Sequence, residues 1–313
     1  MTQLPPTEGS PSTDVDDIGW WASLECIDCR RDVEYAIGGP PTYLERLPSR
    51  QGSTVALERS GERYLLKLVA ARDSDAAVSA RAAALSSESE LLKQAFPDRY
   101  VQSGRGQCTW CLSRWIDGPS LAETSQHARA NLGSQTLLSA AYSCTSALND
   151  LHQAGFFHGD IQPDHFLCDR RGIYKLIDFD SAVATEAPDK YGGGLVHYLA
   201  PEIAAAIAEG RNHLPISIAS ETWSLAAVLH EAATGVLPVQ YVPGEDNASD
   251  RGSTSFSEKL TAIAVGRSSK ALTESDILPS DVRDTVGACL ATAPESRATL
   301  AELLAVLSRA AAS

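Results

Sequence analysis

From about Tyr43 to Ile116 the chain sets short apolar runs between polar turns. Two such turns are Arg50-Gln51-Gly52-Ser53 and Ser60-Gly61-Glu62-Arg63, and together they predict a group of short strands. One stretch inside this region, Ala76 to Phe96, is dense in Ala, Leu and Glu and predicts the one helix of the segment. From Ser120 onward the pattern becomes helical, with Ser134 to Ala154 a long amphipathic helix. Met1 to Gly19 is rich in Pro, Ser, Thr and Asp, almost without apolar residues, and predicts a disordered tail. Trp20 to Thr42 forms an extension before the strand region, and Gly244 to Ser257 reads as an exposed polar loop. No internal repeat is visible.

Composition changes this picture little. With 313 residues the chain can bury a substantial core, and 43% hydrophobic and 21% charged residues are ordinary for a globular protein. Its 40 acidic against 26 basic residues give a net charge of −14, which argues against a broad nucleic-acid surface. No apolar run approaches the roughly 20 residues of a membrane span, and no signal peptide is visible. Seven cysteines, an odd number, do not read as a secreted disulfide framework, so the cytoplasm is the default expectation.

The chemistry is concentrated in His158-Gly159-Asp160-Ile161-Gln162-Pro163-Asp164-His165-Phe166-Leu167, followed by Tyr174-Lys175-Leu176-Ile177-Asp178-Phe179-Asp180. Two carboxylates so placed suit phosphoryl transfer from ATP, one orienting the acceptor hydroxyl and one holding the metal. The stretch resembles the catalytic loop and metal-binding segment of protein kinases, with Gly159 in place of Arg, His165 in place of Asn and Asp180 in place of Gly. Other segments are similar to that family in the same order. Gly194 to Glu202 resembles the end of its activation segment, and Glu221-Thr222-Trp223-Ser224-Leu225 through Thr234-Gly235-Val236-Leu237-Pro238 its central helix. Cys289-Leu290 with Pro294-Glu295-Ser296-Arg297 resembles its last subdomain. The order and spacing hold from about Leu47 to Leu307.

The resemblance implies an α+β, two-lobed fold, with a small antiparallel β lobe carrying one main helix and a larger helical lobe. It places the lobes at residues 43–117 and 118–313, after the tail 1–19 and the extension 20–42. It also implies a Glu202–Arg297 ion pair and a catalytic set of Asp160, Lys67 and Glu88, with Glu90 as the alternative partner of Lys67. ATP is expected against Val55, Leu66, Lys67, Trp115 and Phe166, with Mg²⁺ or Mn²⁺ held by Asp178, His165 and Asp180. Magnesium prefers oxygen, and imidazole suits softer ions. His165 therefore leaves three readings open: one metal through Asp178, a different divalent ion, or Asp180 supplying the missing oxygen. The bland alternative is lost metal binding. The Gly-rich loop is poor, since Leu47 to Val55 retains only Gly52, and Gln162 and Leu195 replace the Lys and Thr of Ser/Thr kinases. Gly159 removes the basic partner of a phosphorylated activation segment, so control by loop phosphorylation is not expected.

The implied function is an atypical ATP-dependent phosphotransferase acting on a Ser or Thr hydroxyl of a protein or peptide. One alternative is a pseudokinase that senses nucleotide or binds partners. A weaker one is a peptide-tailoring kinase of a lanthipeptide-like natural-product pathway. His-Gly-Asp is also similar to small-molecule phosphotransferases, but the Ala-Pro-Glu, Trp-Ser-Leu and Pro-x-x-Arg motifs favour the protein-kinase branch. Cys26-x-x-Cys29 and Cys108-x-x-Cys111 read as buried free thiols. A structural Zn²⁺ through all four is the alternative, weakened by the 78-residue gap between the pairs.

Overall fold

A computed structural model describes residues 21, 24, 26–48, 53–70, 76–131, 133–188, 191–211, 213–243, 254–267, 272 and 277–311. The tail 1–19, the loop residues 49–52 and most of 244–257 lie outside the described residues. The chain divides into two compact units, Met1–Trp115 and Ile116–Ser313.

The first unit is built on five antiparallel strands: β1 (Tyr43–Leu47), β2 (Ser53–Arg59), β3 (Glu62–Ala70), β4 (Tyr100–Arg105) and β5 (Cys108–Arg114). Their order in the sheet is β1-β2-β3-β5-β4. Ser60 and Gly61, both at positive φ, make the tight turn between β2 and β3. Two helices flank the sheet, α1 (Ile27–Ile37) and α2 (Ala76–Ala95). Only α2 was expected from the sequence. The short α1 turns Cys29, Val33 and Ile37 inward, ends on Gly38 in the left-handed conformation, and is tied near its end by Trp21, whose indole N–H donates to Glu34 at 2.9 Å.

Strand alternation decides which residues meet which helix. One face carries Val55, Leu57, Leu66, Leu68, Cys108, Trp110 and Leu112, which form a single buried cluster with Trp21, Cys26, Cys29, Val33 and Ile37 of the extension. Burial of side chains as large as Ile37, Leu66 and Leu68 contributes about 1.5–3 kcal/mol each. The opposite face carries the cross-strand row Thr54, Lys67 and Cys111. There Glu88 of α2 lies beside Lys67.

The cysteines depart from expectation. Cys26 is disulfide-bonded to Cys108, so these two are not free thiols. Cys29 and Cys111 are free and buried. Cys108 and Cys111 stand three positions apart on β5, which turns their side chains to opposite faces of the sheet, so the four-cysteine zinc set is not assembled. By loop-closure entropy a crosslink spanning 82 positions restricts the unfolded chain by about 4–5 kcal/mol.

The second unit is mainly helical: α3 (Leu121–Ala130), α4 (Ser134–Gln153), α5 (Pro201–Ala208), α6 (Ile218–Thr234), α7 (Phe256–Ala264), α8 (Ser280–Cys289) and α9 (Leu300–Ala311). Two small antiparallel pairs, β6 (Phe156–Phe157) with β9 (Val183–Ala184) and β7 (Phe166–Cys168) with β8 (Tyr174–Leu176), lie between α4 and α5 in the chain. α6 is buried almost all round, through Trp223, Leu225, Ala226, Val228 and Leu229, which marks it as the central helix of the unit. The architecture is α+β, an antiparallel sheet followed by a helical remainder. No helix among the described residues is long and apolar enough to cross a membrane.

Candidate active site

In the first unit the Lys67 ammonium donates to both oxygens of Glu88, at 2.9 and 3.0 Å. Their side chains are 18% and 5% exposed, so the pair is largely withdrawn from water and each charge needs the other. Cys111, opposite Lys67 on β5, has its thiol pushed up to about 12 by burial; the Glu88 charge adds to the rise and Lys67 opposes it. It is an inert neighbour.

In the second unit α4 delivers the chain through β6 into His158-Gly159-Asp160. Glu221 of α6 holds this loop by its backbone, accepting from the N–H groups of His158 at 3.1 Å and Gly159 at 2.7 Å. The same carboxylate lies 2.7 Å from His152 Nε2. A carboxylate only accepts, so His152 donates to it from Nε2, while its Nδ1 has no hydrogen-bond partner. His158 is fully buried; its Nε2–H donates to the Ile177 carbonyl and its Nδ1 accepts from the Asp160 N–H. Burial pushes its pKa down against the opposing charge of Glu221, so the ring is a neutral spacer between the two carboxylate-bearing segments. Gly159 has φ +80°, and a Cβ there would drive into the Ser181 carbonyl and the Tyr191 ring. The space a longer side chain would need is thus filled by the activation segment itself.

Asp160 emerges from this anchored loop. Its Oδ2 accepts from the Gln162 amide and its Oδ1 from the Leu195 N–H, each at 2.8 Å. Gln162 and Leu195 therefore still engage Asp160, with neutral groups. A Cβ on Gly194 would press on the Gly159 carbonyl and Asp160, so glycine permits the Leu195 amide to come this close. The loop is fastened on its other side by Ser120, which caps α3 and donates its hydroxyl to Asp164 at 2.9 Å.

His165 stands between the two acidic segments. Its Nδ1 is 2.8 Å from the Asp160 carbonyl and its Nε2 is 3.6 Å from Asp178 Oδ2. A carbonyl oxygen only accepts, so Nδ1–H donates to Asp160 and Nε2 is turned toward Asp178. Asp178 adopts a left-handed backbone, φ 61°, a conformation costing a non-glycine residue about 1–2 kcal/mol. Asp180 follows in the turn Phe179–Ser181, its carboxylate within 4.8 Å of that of Asp178. Asp178 thus has the His165 nitrogen within 3.6 Å and the Asp180 carboxylate within 4.8 Å.

Three of the residues expected beside the nucleotide are buried. Val55 and Leu66 have no exposed surface and lie on the sheet face opposite Lys67, under α1. Thr54, Ala56 and Leu65 share the face of Lys67 instead. Phe166 is likewise wholly buried, paired across β7–β8 with Leu176, whereas Leu167 is half-buried. Trp115 keeps partial exposure, with the Arg63 guanidinium 4.5 Å above its ring. Glu221 stands in the central-helix motif, but nothing local in the sequence marks it as the loop's anchor. The bond it makes crosses more than 60 positions of sequence.

The distal ion pair is also formed. Arg297 donates to Glu202 at 2.8 and 2.6 Å, and its other donors reach the carbonyls of Ala219, Ala291 and Thr292. All five guanidinium N–H groups are thereby satisfied.

The order of these anchors along the chain is matched by the protein kinase domain model over residues 107–306. The chain belongs to the protein kinase family. That match takes in Asp160, Asp178, Glu202, Glu221 and Arg297. The rat serine/threonine-protein kinase PAK 5 is 26% identical over 245 residues, covering 76% of this chain and 32% of that protein. Mitogen-activated protein kinase kinase kinase 3 of Arabidopsis thaliana is 31% identical over 160 residues, covering 51% of this chain and 25% of that protein. The mouse serine/threonine-protein kinase MRCK gamma is 34% identical over 104 residues, 29% of this chain and 6% of that protein. The chain thus spans about a third or less of the length of these curated relatives.

Proposed function

We propose that the chain is an ATP-dependent phosphotransferase acting on a Ser or Thr hydroxyl of a protein or peptide. The observation that carries this reading is Asp160, held by Gln162 and Leu195 at the end of a loop whose backbone is fixed by Glu221. A carboxylate so oriented accepts a hydrogen bond from the acceptor hydroxyl and aligns its oxygen for attack. Beside it Tyr191, Leu195, Tyr198 and Ser224 line a cavity of about 10 Å³, room for a water rather than a side chain. Lys67, charged and paired to Glu88, is suited to the nucleotide phosphates. Asp178, with His165 and Asp180, would hold the divalent ion, which supplies neutralisation of phosphate charge. Activity needs no phosphate on the activation segment, because Tyr191 packs where a longer side chain than Gly159 would reach.

One observation favours a pseudokinase instead. The His165 ring, a nitrogen donor, lies 3.6 Å from Asp178 where magnesium prefers an oxygen ligand. Nucleotide-binding calorimetry with Mg²⁺ and Mn²⁺, followed by a phosphoryl-transfer assay, separates the two. Tight metal-dependent ATP binding with transfer supports the enzyme; binding without transfer under either metal supports the pseudokinase.

A further inference from the structure

Away from the phosphoryl-transfer residues, the start of α1 and the start of β5 bring three sulfurs into one buried cluster. Cys26 precedes the first residue of α1 and Cys29 is the third residue of that helix, so both lie in its first turn. Cys108 opens β5 on the face that α1 covers. The three Sγ atoms lie within 4.8 Å of one another, and the residues are 6%, 1% and 1% exposed. Cys26 is bonded to Cys108, while Cys29 remains a thiol. A free thiol beside a disulfide has the composition of the reactant state for thiol–disulfide exchange.

We propose that Cys26, Cys29 and Cys108 form a thiol–disulfide exchange site, in which Cys26 alternates between Cys108 and Cys29 and so staples α1 to the sheet or releases it. Cys29 gives up its proton and its sulfur attacks Sγ of Cys26. The Cys26–Cys29 bond forms as the Cys26–Cys108 bond breaks, the electron pair leaves on Cys108, and Cys108 takes up a proton. Two thiol–disulfide states of equal oxidation level are exchanged, so no oxidant or reductant is consumed. Cys26-Ile27-Asp28-Cys29 has the Cys-x-x-Cys spacing in which a disulfide closes readily at a helix start. Cys111 takes no part, because it lies on the other face of the sheet.

The packed state restrains the reaction. Burial, with the nearby Asp32 charge adding, pushes the Cys29 thiol up to about 12, so little thiolate exists while α1 is seated. Exchange therefore proceeds in local openings that bring water to Cys29 while the Cys26–Cys108 bond still holds the start of α1. Its result is a change in crosslink length, from a bond spanning 82 positions to one within a single helical turn. Leu66 and Leu68, which pack in the cluster with α1, flank Lys67 on β3, so release loosens the covering of the strand that carries Lys67.

The test is disulfide mapping of the full chain, purified without reductant and incubated in glutathione buffers of graded ratio. Samples are acid-quenched, alkylated and mapped by mass spectrometry, and zinc is measured on the same material. The wild type is expected to yield both Cys26–Cys108 and Cys26–Cys29 peptides, interconverting with time. In Cys29→Ser the Cys26–Cys29 peptide and the interconversion are lost while Cys26–Cys108 persists. The wild-type sample decides even where a variant fails to fold. A wild type showing only Cys26–Cys108 at every ratio, until all three thiols are reduced together, overturns the proposal. So does one equivalent of bound zinc with the three thiols reduced.

Discussion

Glu221 accepts the Gly159 backbone N–H at 2.7 Å, joining the central helix of the second unit to the residue before Asp160. The same carboxylate takes the His158 N–H and faces His152 Nε2, and it is 4% exposed. Glu221→Ala would strand three buried donors, each costing about 1–3 kcal/mol. The expected outcome is a loss of about 3 kcal/mol or more in urea denaturation, with Asp160 no longer positioned and transfer abolished. A stability change under about 1 kcal/mol would mean the loop is held by something else.

Lys67→Ala removes the partner of a carboxylate that is 5% exposed. Breaking a buried pair from one side costs about 3–5 kcal/mol, and the 18% exposure of Lys67 puts this case at the lower end. The decisive readout is nucleotide. ATP with Mn²⁺ or Mg²⁺ at 100 times its dissociation constant should stabilise the wild type by about 2.7 kcal/mol, and Lys67→Ala should lose that thermal shift. A wild type with no shift under millimolar nucleotide and either metal would leave only the partner-binding reading.

Asp160→Asn keeps the shape of the side chain and removes the charge that orients the acceptor. Transfer should fall to background, while ATP affinity measured by calorimetry stays near the wild-type value, because the acceptor rather than the nucleotide loses its contact. Equal turnover in variant and wild type would show that this loop is not the catalytic one.

His165→Asn distinguishes a degraded magnesium site from an adapted one. In the adapted site Nε2 and the Asp178 carboxylate share the ion, so His165→Asn should weaken Mn²⁺-ATP binding in calorimetry, and Asp180→Gly should weaken it too. A gain in Mg²⁺-ATP affinity from His165→Asn, with no penalty in Asp180→Gly, would identify a degraded site.

Much of the architecture was legible in the sequence because its signals are local. The long helix Ser134–Gln153 shows its period within one window, and the motifs around Asp160, Asp178, Glu202 and Arg297 keep their order along the chain. Of the two acidic residues that the resemblance offers Lys67, Glu88 ahead of Glu90, Glu88 makes the pair. The short helix Ile27–Ile37 escaped notice because its mixed, charged composition gives a weak apolar stripe, and only Cys29, Val33 and Ile37 turn inward.

By itself the sequence determined which residue types stand at each step of the phosphoryl-transfer segment, including the replacements Gly159, Gln162, His165 and Asp180. The tertiary structure alone decided where they point and what holds them. Val55 and Leu66 look like neighbours of Lys67 along the strand, yet pleating and register turn them to the face beneath α1. Cys26 meets Cys108, and Glu221 meets Gly159, across 82 and 62 positions of chain. No local period encodes such contacts. They exist because packing a sheet against one helix and a loop against another brings distant segments together, and buried sulfurs and N–H groups then bond to whatever partner lies within reach.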